Sequence, residues 1–137
     1  MRSKFSTAWN SSVKPRKQRK YNYNAPLHIR HKFLNAHLSK ALKEKYGKRS
    51  LPLRTGDEVL VMRGAFKKKK AKVASIDIKK TRITLEGIQR SKKDGTKIPV
   101  FFHPSVLKIE FLDSEDKLRF KQNTEKKNAS KKKSGNN

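Results

Sequence analysis

The first fifty residues carry fourteen Lys and Arg and a single acid, Glu44. A folded surface ordinarily interleaves both signs of charge, because like charges packed side by side repel. So one-sided a block is expected where the chain faces phosphate from several directions. The remainder is less extreme: residues 51–112 hold fifteen basic and six acidic side chains, and residues 113–137 hold eight and four. The whole chain of 137 residues reaches +26. Only 33% is hydrophobic and the mean hydropathy is −0.97, too little apolar material for a core running the full length. The partner implied is a polyanion, nucleic acid before any other. A membrane span is excluded on hydropathy, since the longest apolar run, Val59–Met62, falls far short of the roughly 20 residues needed. No apolar stretch follows the basic start, so no secretory signal is expected. The absence of Cys excludes disulfide scaffolds, zinc ribbons and redox motifs, and it fits a reducing compartment.

Residues 1–24 read as a basic extended arm, with Ser, Asn and cations and no apolar period. Lys14-Pro15-Arg16-Lys17-Gln18-Arg19-Lys20 is its densest cluster, flanked by Trp9, Tyr21 and Tyr23. Aromatic rings among cations stack on unpaired bases while Lys and Arg track phosphates. Arg16, Lys17, Arg19, Lys20 and Tyr21 are therefore candidate RNA contacts; the plainer alternative is a solvated tail or an import signal. Residues 25–50 read as short helices. Pro26 suits the first helical position, opening a helix over about Leu27–Leu34. Asn35 then caps a second, whose stripe Leu38, Leu42, Tyr46 recurs every four residues and which Gly47 closes. Leu51-Pro52-Leu53 is an extended connector.

From Gly56 the period changes to two. Strands are expected over Glu58–Arg63 (covered on both faces), Lys72–Ile78, Arg82–Leu85, Lys97–Phe102 and Leu107–Phe111, with turns at Lys79-Lys80 and Asp94-Gly95. Met62, Val73, Ile83, Leu85 and Phe111 are core candidates. Five short strands within residues 51–112 describe a small closed or half-closed barrel, so the fold class is mostly β. A short helix is expected over 113–122, and 123–137, rich in Lys, Asn, Ser and Gly, is expected to be a disordered basic tail.

The stretch Thr55-Gly56-Asp57-Glu58-Val59-Leu60-Val61-Met62-Arg63-Gly64, a basic loop, then Lys72-Val73-Ala74-Ser75-Ile76 resembles a KOW motif. A strand runs out, Gly64 lets the backbone turn and approach a ligand closely, and a second strand returns past a rim of cations. The likeness extends to Arg19-Lys20, Asn24-Ala25-Pro26-Leu27-His28-Ile29-Arg30, Leu38-Ser39-Lys40 and Lys45-Tyr46 upstream, and to Ile88-Gln89-Arg90, Asp94-Gly95-Thr96 and His103-Pro104-Ser105 downstream. Together these resemble the KOW-domain ribosomal protein of the large subunit, numbered twenty-four in bacteria and twenty-six in eukaryotes, in its eukaryotic and archaeal form. The likeness covers roughly residues 14–122. It implies a small SH3-like barrel that binds large-subunit rRNA in assembly near the polypeptide tunnel exit, beside neighbouring ribosomal proteins. It implies no enzyme, cofactor, small-molecule substrate or membrane. Location would be the cytoplasmic ribosome, with nuclear or nucleolar assembly in a eukaryote. There is one departure. Where the family loop has glycines, this chain has Ala65-Phe66-Lys67-Lys68-Lys69-Lys70-Ala71, with Lys68 and Ala71 at glycine sites. Non-glycine residues avoid positive φ, so a different backbone path is expected there, with the lysines neutralising phosphate less specifically.

The candidate RNA contacts are thus Arg16, Lys17, Arg19, Lys20, Tyr21, Asn24, His28, Arg30, His31, Lys32, Arg63, Gly64, Phe66, Lys67, Lys68, Lys69, Lys70, Arg90 and His103. His28 and His31 lie one helical turn apart with no Cys or nearby acid cluster, so they fit phosphate or base contacts better than a metal. His103 either touches RNA or caps a turn. Asp57 and Glu58 are adjacent and point to opposite faces of a strand, which rules out a catalytic carboxylate pair; Asp57 reads as a turn residue, paired with Arg54 or Arg63. The competing class is a KOW-containing transcription or chromatin factor. Neutralising Arg16, Lys17, Arg19 and Lys20 together is expected to impair incorporation into pre-ribosomes more than the same change at Lys131–Lys133. Equal incorporation of the two variants would count against an rRNA role for the first cluster.

Overall fold

The structure is a computed structural model and describes residues 4–113. After a 3₁₀ turn at Thr7–Ser11 come helices α1 (Pro15–Asn24) and α2 (Leu27–Phe33), strand β1 (Asn35–Leu38), helix α3 (Lys40–Tyr46), and strands β2 (Ser50–Pro52), β3 (Glu58–Val61), β4 (Lys70–Asp77), β5 (Arg82–Ser91), β6 (Lys97–Phe102) and β7 (Leu107–Phe111). The seven strands form one sheet in the order β2-β1-β7-β3-β4-β5-β6, of the small SH3-like barrel type. β4 pairs with β3 through Lys70–Lys72 and with β5 through Val73–Asp77, so one strand serves both halves of the sheet. Period-two alternation puts Val59, Val61, Val73, Ile83, Leu85, Phe102, Leu107 and Ile109 into a single core, completed by Ala36, Leu38, Leu51, Leu53 and Ile88.

Several expectations need correction. Residues 1–24 are not an extended arm where the structure describes them. Pro15 occupies the first turn of α1, where its fixed φ and missing N–H cost nothing. Tyr21, Ala25 and Ile29 bury together, with Phe5, Trp9 and Phe33 against them, in a second small core. Pro26 is the N-cap of α2, one position earlier than expected. The stripe from Leu38 to Tyr46 is not one helix. Leu38 belongs to β1, which pairs antiparallel with β2 and parallel with β7, and α3 starts after Ser39, whose Oγ accepts from Leu42 N–H at 3.4 Å. The connector at Leu51-Pro52 is the middle and end of β2.

β3 is covered on one face only: Val59 and Val61 are buried, Leu60 is half-buried. Met62 is half-buried because it lies just past β3, its N–H on Val106 O at 2.8 Å. Phe111 is 64% exposed. In the β3–β7 ladder Val59 faces Ile109 but Glu58 faces Phe111, so Glu110 is bulged and the last residue of β7 is turned off the core face. The helix expected over 113–122, beyond Asp113 itself, and the tail over 123–137 lie outside the described residues.

Asp57 is wholly buried and is tied to three parts of the barrel. Oδ2 accepts Arg54 N–H at 2.9 Å, Oδ1 accepts Asp113 N–H at 3.1 Å, and its backbone carbonyl accepts Val73 N–H at 2.9 Å. Gly56 beside it takes φ +87°, which strains any other residue, and a Cβ there would sit 2.8 Å from Asp113 Oδ2. Asp57→Ala strands two backbone donors and is expected to cost about 2–4 kcal/mol. Asp57→Asn, which keeps the shape and one acceptor oxygen, is expected to cost less. Urea unfolding of the full chain measures both; equal stability of Asp57→Ala and wild type would overturn the assignment.

Candidate nucleic-acid interface

α1 displays Arg16, Lys17 and Arg19 to solvent. What holds it in place is Gln18, a polar residue among cations that no sequence motif singles out. Its Nε2 reaches the carbonyls of Trp9 (3.0 Å), Asn10 (3.0 Å) and Ser12 (2.7 Å), stapling the 3₁₀ turn to the helix. Lys20 lies with its Nζ 4.9 Å from the centre of the Trp9 ring, a cation–π contact that occupies that ring. Tyr21 is the main correction. It is 8% exposed, stacked on Phe5 at 5.2 Å and tilted on Phe33 at 5.8 Å, so no base can reach its face. Tyr23, two residues on, is 79% exposed and takes over as the stacking candidate. Asn24 donates its side-chain N–H to Lys4 O at 2.8 Å.

Arg30 also differs from expectation. Its Nε donates to Ala25 O at 2.8 Å and its Nη2 to Tyr23 O at 2.6 Å, so its guanidinium satisfies the carbonyls left over where α1 ends. The outward cations of α2 are Lys32 and, when protonated, His28 and His31, all three exposed.

The loop after β3 keeps a left-handed path despite its missing glycines. Gly64 takes φ +90° and Lys68 takes φ +69°, a conformation that costs a side-chain-bearing residue about 1–2 kcal/mol. Two hydrogen bonds at one residue impose it: Lys68 N–H on Val61 O at 2.8 Å, and Val61 N–H on Lys69 O at 2.9 Å. Arg63, Lys67 and Lys68 are exposed. Phe66 is not an open platform. Its ring packs edge-on against Phe102 at 6.0 Å and carries Lys69 Nζ 5.3 Å from its centre. Lys70 is exposed but paired within the chain, its Nζ 2.6 Å from Glu110 Oε2, with Lys108 Nζ 3.5 Å from Oε1.

Phe66 touches Phe102, and the next residue, His103, lines a groove of about 310 Å³ with Asn22, Arg30, Phe33, Ile78, Lys79 and Thr81. The groove runs between the N-terminal helices and the β4–β5 turn, and no residue of the loop after β3 lines it. His103 does cap a turn: Ser105 N–H donates to Nδ1 at 3.3 Å, and Ser105 Oγ lies 2.9 Å from the same atom. Accepting that bond makes Nδ1 the unprotonated nitrogen of the neutral ring and leaves Nε2–H as a donor. Lys79 joins the groove although its sequence context marks only a turn. Arg90 stands apart, on the outer half of the β5–β6 hairpin, where residues 89–99 are all exposed. Asp94, the acid at its tip, is held below its usual range by the Thr96 hydroxyl and then by the Thr96 N–H. Among the described residues no group of three His, Cys, Asp or Glu comes together to hold a metal ion.

Lys70 holds the Glu110 carboxyl below its ordinary value of 4.5, first by its hydrogen bond, against an opposing push from burial, with the charges of Lys70 and Lys108 helping. A carboxylate so depressed stabilises the fold above the ordinary value and loses that contribution as pH falls through the depressed one. Glu110→Gln is therefore expected to be less stable than wild type near neutrality. The gap is expected to narrow in paired urea titrations as pH is lowered through and below the ordinary carboxylate range. A gap that stays constant with pH would remove the ion pair from the account.

The sequence profile of the family of ribosomal proteins described as eukaryotic L26 and archaeal L24 matches residues 12–127. The large ribosomal subunit protein uL24 of Korarchaeum cryptofilum (strain OPF8) is 51% identical over 108 residues, which is 79% of this chain and 82% of that protein. With the Gly-turned loop, the capped His103 and the helices Asn24-Ala25-Pro26 separates all in place, the chain belongs to the family of eukaryotic L26 and archaeal L24 ribosomal proteins.

Proposed function

We propose that the protein is a structural, non-catalytic constituent of the large ribosomal subunit that binds and stabilises large-subunit rRNA during assembly. The single observation carrying this reading is the groove that the N-terminal helices and the β4–β5 turn share. It is lined by Arg30, Lys79 and His103, and α1, α2 and the loop after β3 carry further exposed cations in Arg16, Lys17, Arg19, Lys32, Arg63, Lys67 and Lys68. Lys and Arg on such a surface neutralise phosphates and release counterions, while the barrel fixes their directions. Family membership supports placing the action in the ribosome, and the relative's name as a large-subunit protein supports the subunit. The finer location, beside other ribosomal proteins near the tunnel exit, rests on the family resemblance. So does assembly in the nucleus or nucleolus should the source be eukaryotic. The alternative of a transcription or chromatin factor gains nothing from the family match.

Binding of the full chain to large-subunit rRNA fragments is expected to weaken steeply with salt, the log–log slope approaching minus one per phosphate neutralised. The protein is also expected to remain at one copy per large subunit after a high-salt wash. Flat salt dependence would sink the phosphate mechanism, and loss in the wash would favour a loosely associated factor.

A further inference from the structure

Phe101 is an aromatic side chain that neither the core nor the groove explains. It is 61% exposed beside Phe102, which is buried. In β6 the alternation that sends Phe102 inward sends Phe101 outward, onto the outer face of the β4–β5–β6 sheet. Its neighbours there form a low, polar floor. Thr84 lies directly opposite on β5 and Ser75 opposite Thr84 on β4, their hydroxyls 2.7 Å apart and satisfied by each other. Both side chains are short, so the ring stands above them. Arg82, two residues before Thr84, shares that face and lies diagonal to Phe101. Phe101, Arg82, Lys80 and Asp77 line one shallow depression of about 530 Å³. Glu86, two residues past Thr84, is exposed and does not line it. Asp77 shapes the turn that carries the cations, its Oδ1 accepting Lys80 N–H at 3.0 Å.

We propose that this depression holds one unpaired RNA base, stacked on Phe101, with the flanking phosphates taken by Arg82 and Lys80. The inference rests on the RNA-binding reading above and extends it to a second, sequence-tolerant contact. An exposed ring beside two cations is the arrangement that single-stranded RNA occupies, the ring meeting the base and the cations its backbone. A protein segment is a poorer fit. Pro99 removes a backbone donor from the edge strand β6, so an added strand cannot pair along it unbroken, and the cations leave little apolar rim for a helix.

The test uses the full chain and three probes: a mixed-sequence single-stranded oligoribonucleotide, a blunt RNA duplex of equal length, and large-subunit rRNA. Trp9 is the one tryptophan, so Trp9→Phe combined with Phe101→Trp places a single reporter indole at the site. Its fluorescence is expected to be quenched by the single strand and left unchanged by the duplex. In the wild-type background Phe101→Ala is expected to weaken single-strand binding about 5- to 100-fold, with duplex binding within about twofold and Phe101→Tyr close to wild type. Because the side chain is exposed, the melting temperature of Phe101→Ala should match wild type; a large drop would instead give Phe101 a structural role and overturn the proposal. Single-strand binding insensitive to Phe101→Ala, or equal losses for strand and duplex, would overturn it as well. So would quenching by isolated ribosomal proteins and not by RNA, which would make the surface a protein contact. If wild type fails to bind large-subunit rRNA, the broader RNA-binding reading falls. If rRNA binds and Phe101→Ala leaves the single strand unaffected, only the base platform falls.

Discussion

The buried carboxylate of Asp57 is the joint on which the barrel depends. A wholly buried acid is costly unless its lone pairs are filled, and here they receive backbone N–H groups from Arg54 and Asp113. Those two residues lie on either side of the β-rich segment, before β3 and after β7. One side chain therefore locks the entry to β3 against the exit from β7, while its own carbonyl takes the N–H of Val73 at the bend of β4. Gly56 lets the backbone come close enough for this, since a Cβ there would press on the Asp113 carboxylate. The Gly-Asp pair at the start of the motif is thus a closure device. The proposed RNA contact falls to the loop at the far end of β3.

That division of labour also runs through the cations. Lys20 covers the Trp9 ring, Arg30 satisfies carbonyls at the end of α1, Lys69 lies over Phe66 and Lys70 pairs with Glu110. Each is used in holding a segment, so a count of +26 overstates what faces a ligand. Arg16, Lys17, Arg19, Lys32, Arg63, Lys67 and Lys68 point outward from elements that the first group keeps in position. A guanidinium caps a helix end and a lysine stem packs on an aromatic ring by the same chemistry that would bind RNA. Composition alone cannot tell the two uses apart.

The barrel is legible in the sequence because its strands obey a simple rule. β3, β4, β5, β6 and β7 all appear where alternation marks them, and Val73, Ile83 and Leu85 are buried as it requires. β5 runs on to Ser91 instead of ending at Leu85 as expected, because its alternation breaks at Glu86-Gly87 before pairing with β6 resumes. β1 and β2 are not legible: they have four and three residues, one is ended by Pro52, and they exist through pairing with each other and with β7, some seventy residues away. Phe111 departs because a bulge at Glu110 breaks a period that the sequence shows as intact. The N-terminal core does carry a signal, but a disguised one. Tyr21, Ala25 and Ile29 recur every four residues, yet the spacing crosses the break at Pro26, where a single helix would be excluded. Two short helices folded against each other bury the same three residues that one continuous stripe would have.

Lys68 shows how closure and charge meet in one loop. A glycine there would sit at φ +69° without strain, and the hydrogen bonds that set the conformation involve only backbone atoms. Folding therefore gains nothing from a side chain at this position. A lysine held in a left-handed turn between Lys67 and Lys69 does gain something for an electrostatic surface. The Lys69 ammonium lies over the Phe66 ring, while Lys67 and Lys68 are exposed at this turn. Charges about one Debye length apart or closer, roughly 8–10 Å in physiological salt, act together on a nearby phosphate. The strain at Lys68 sits in a reversing loop whose geometry Gly64 and the paired N–H and C=O of Val61 sustain.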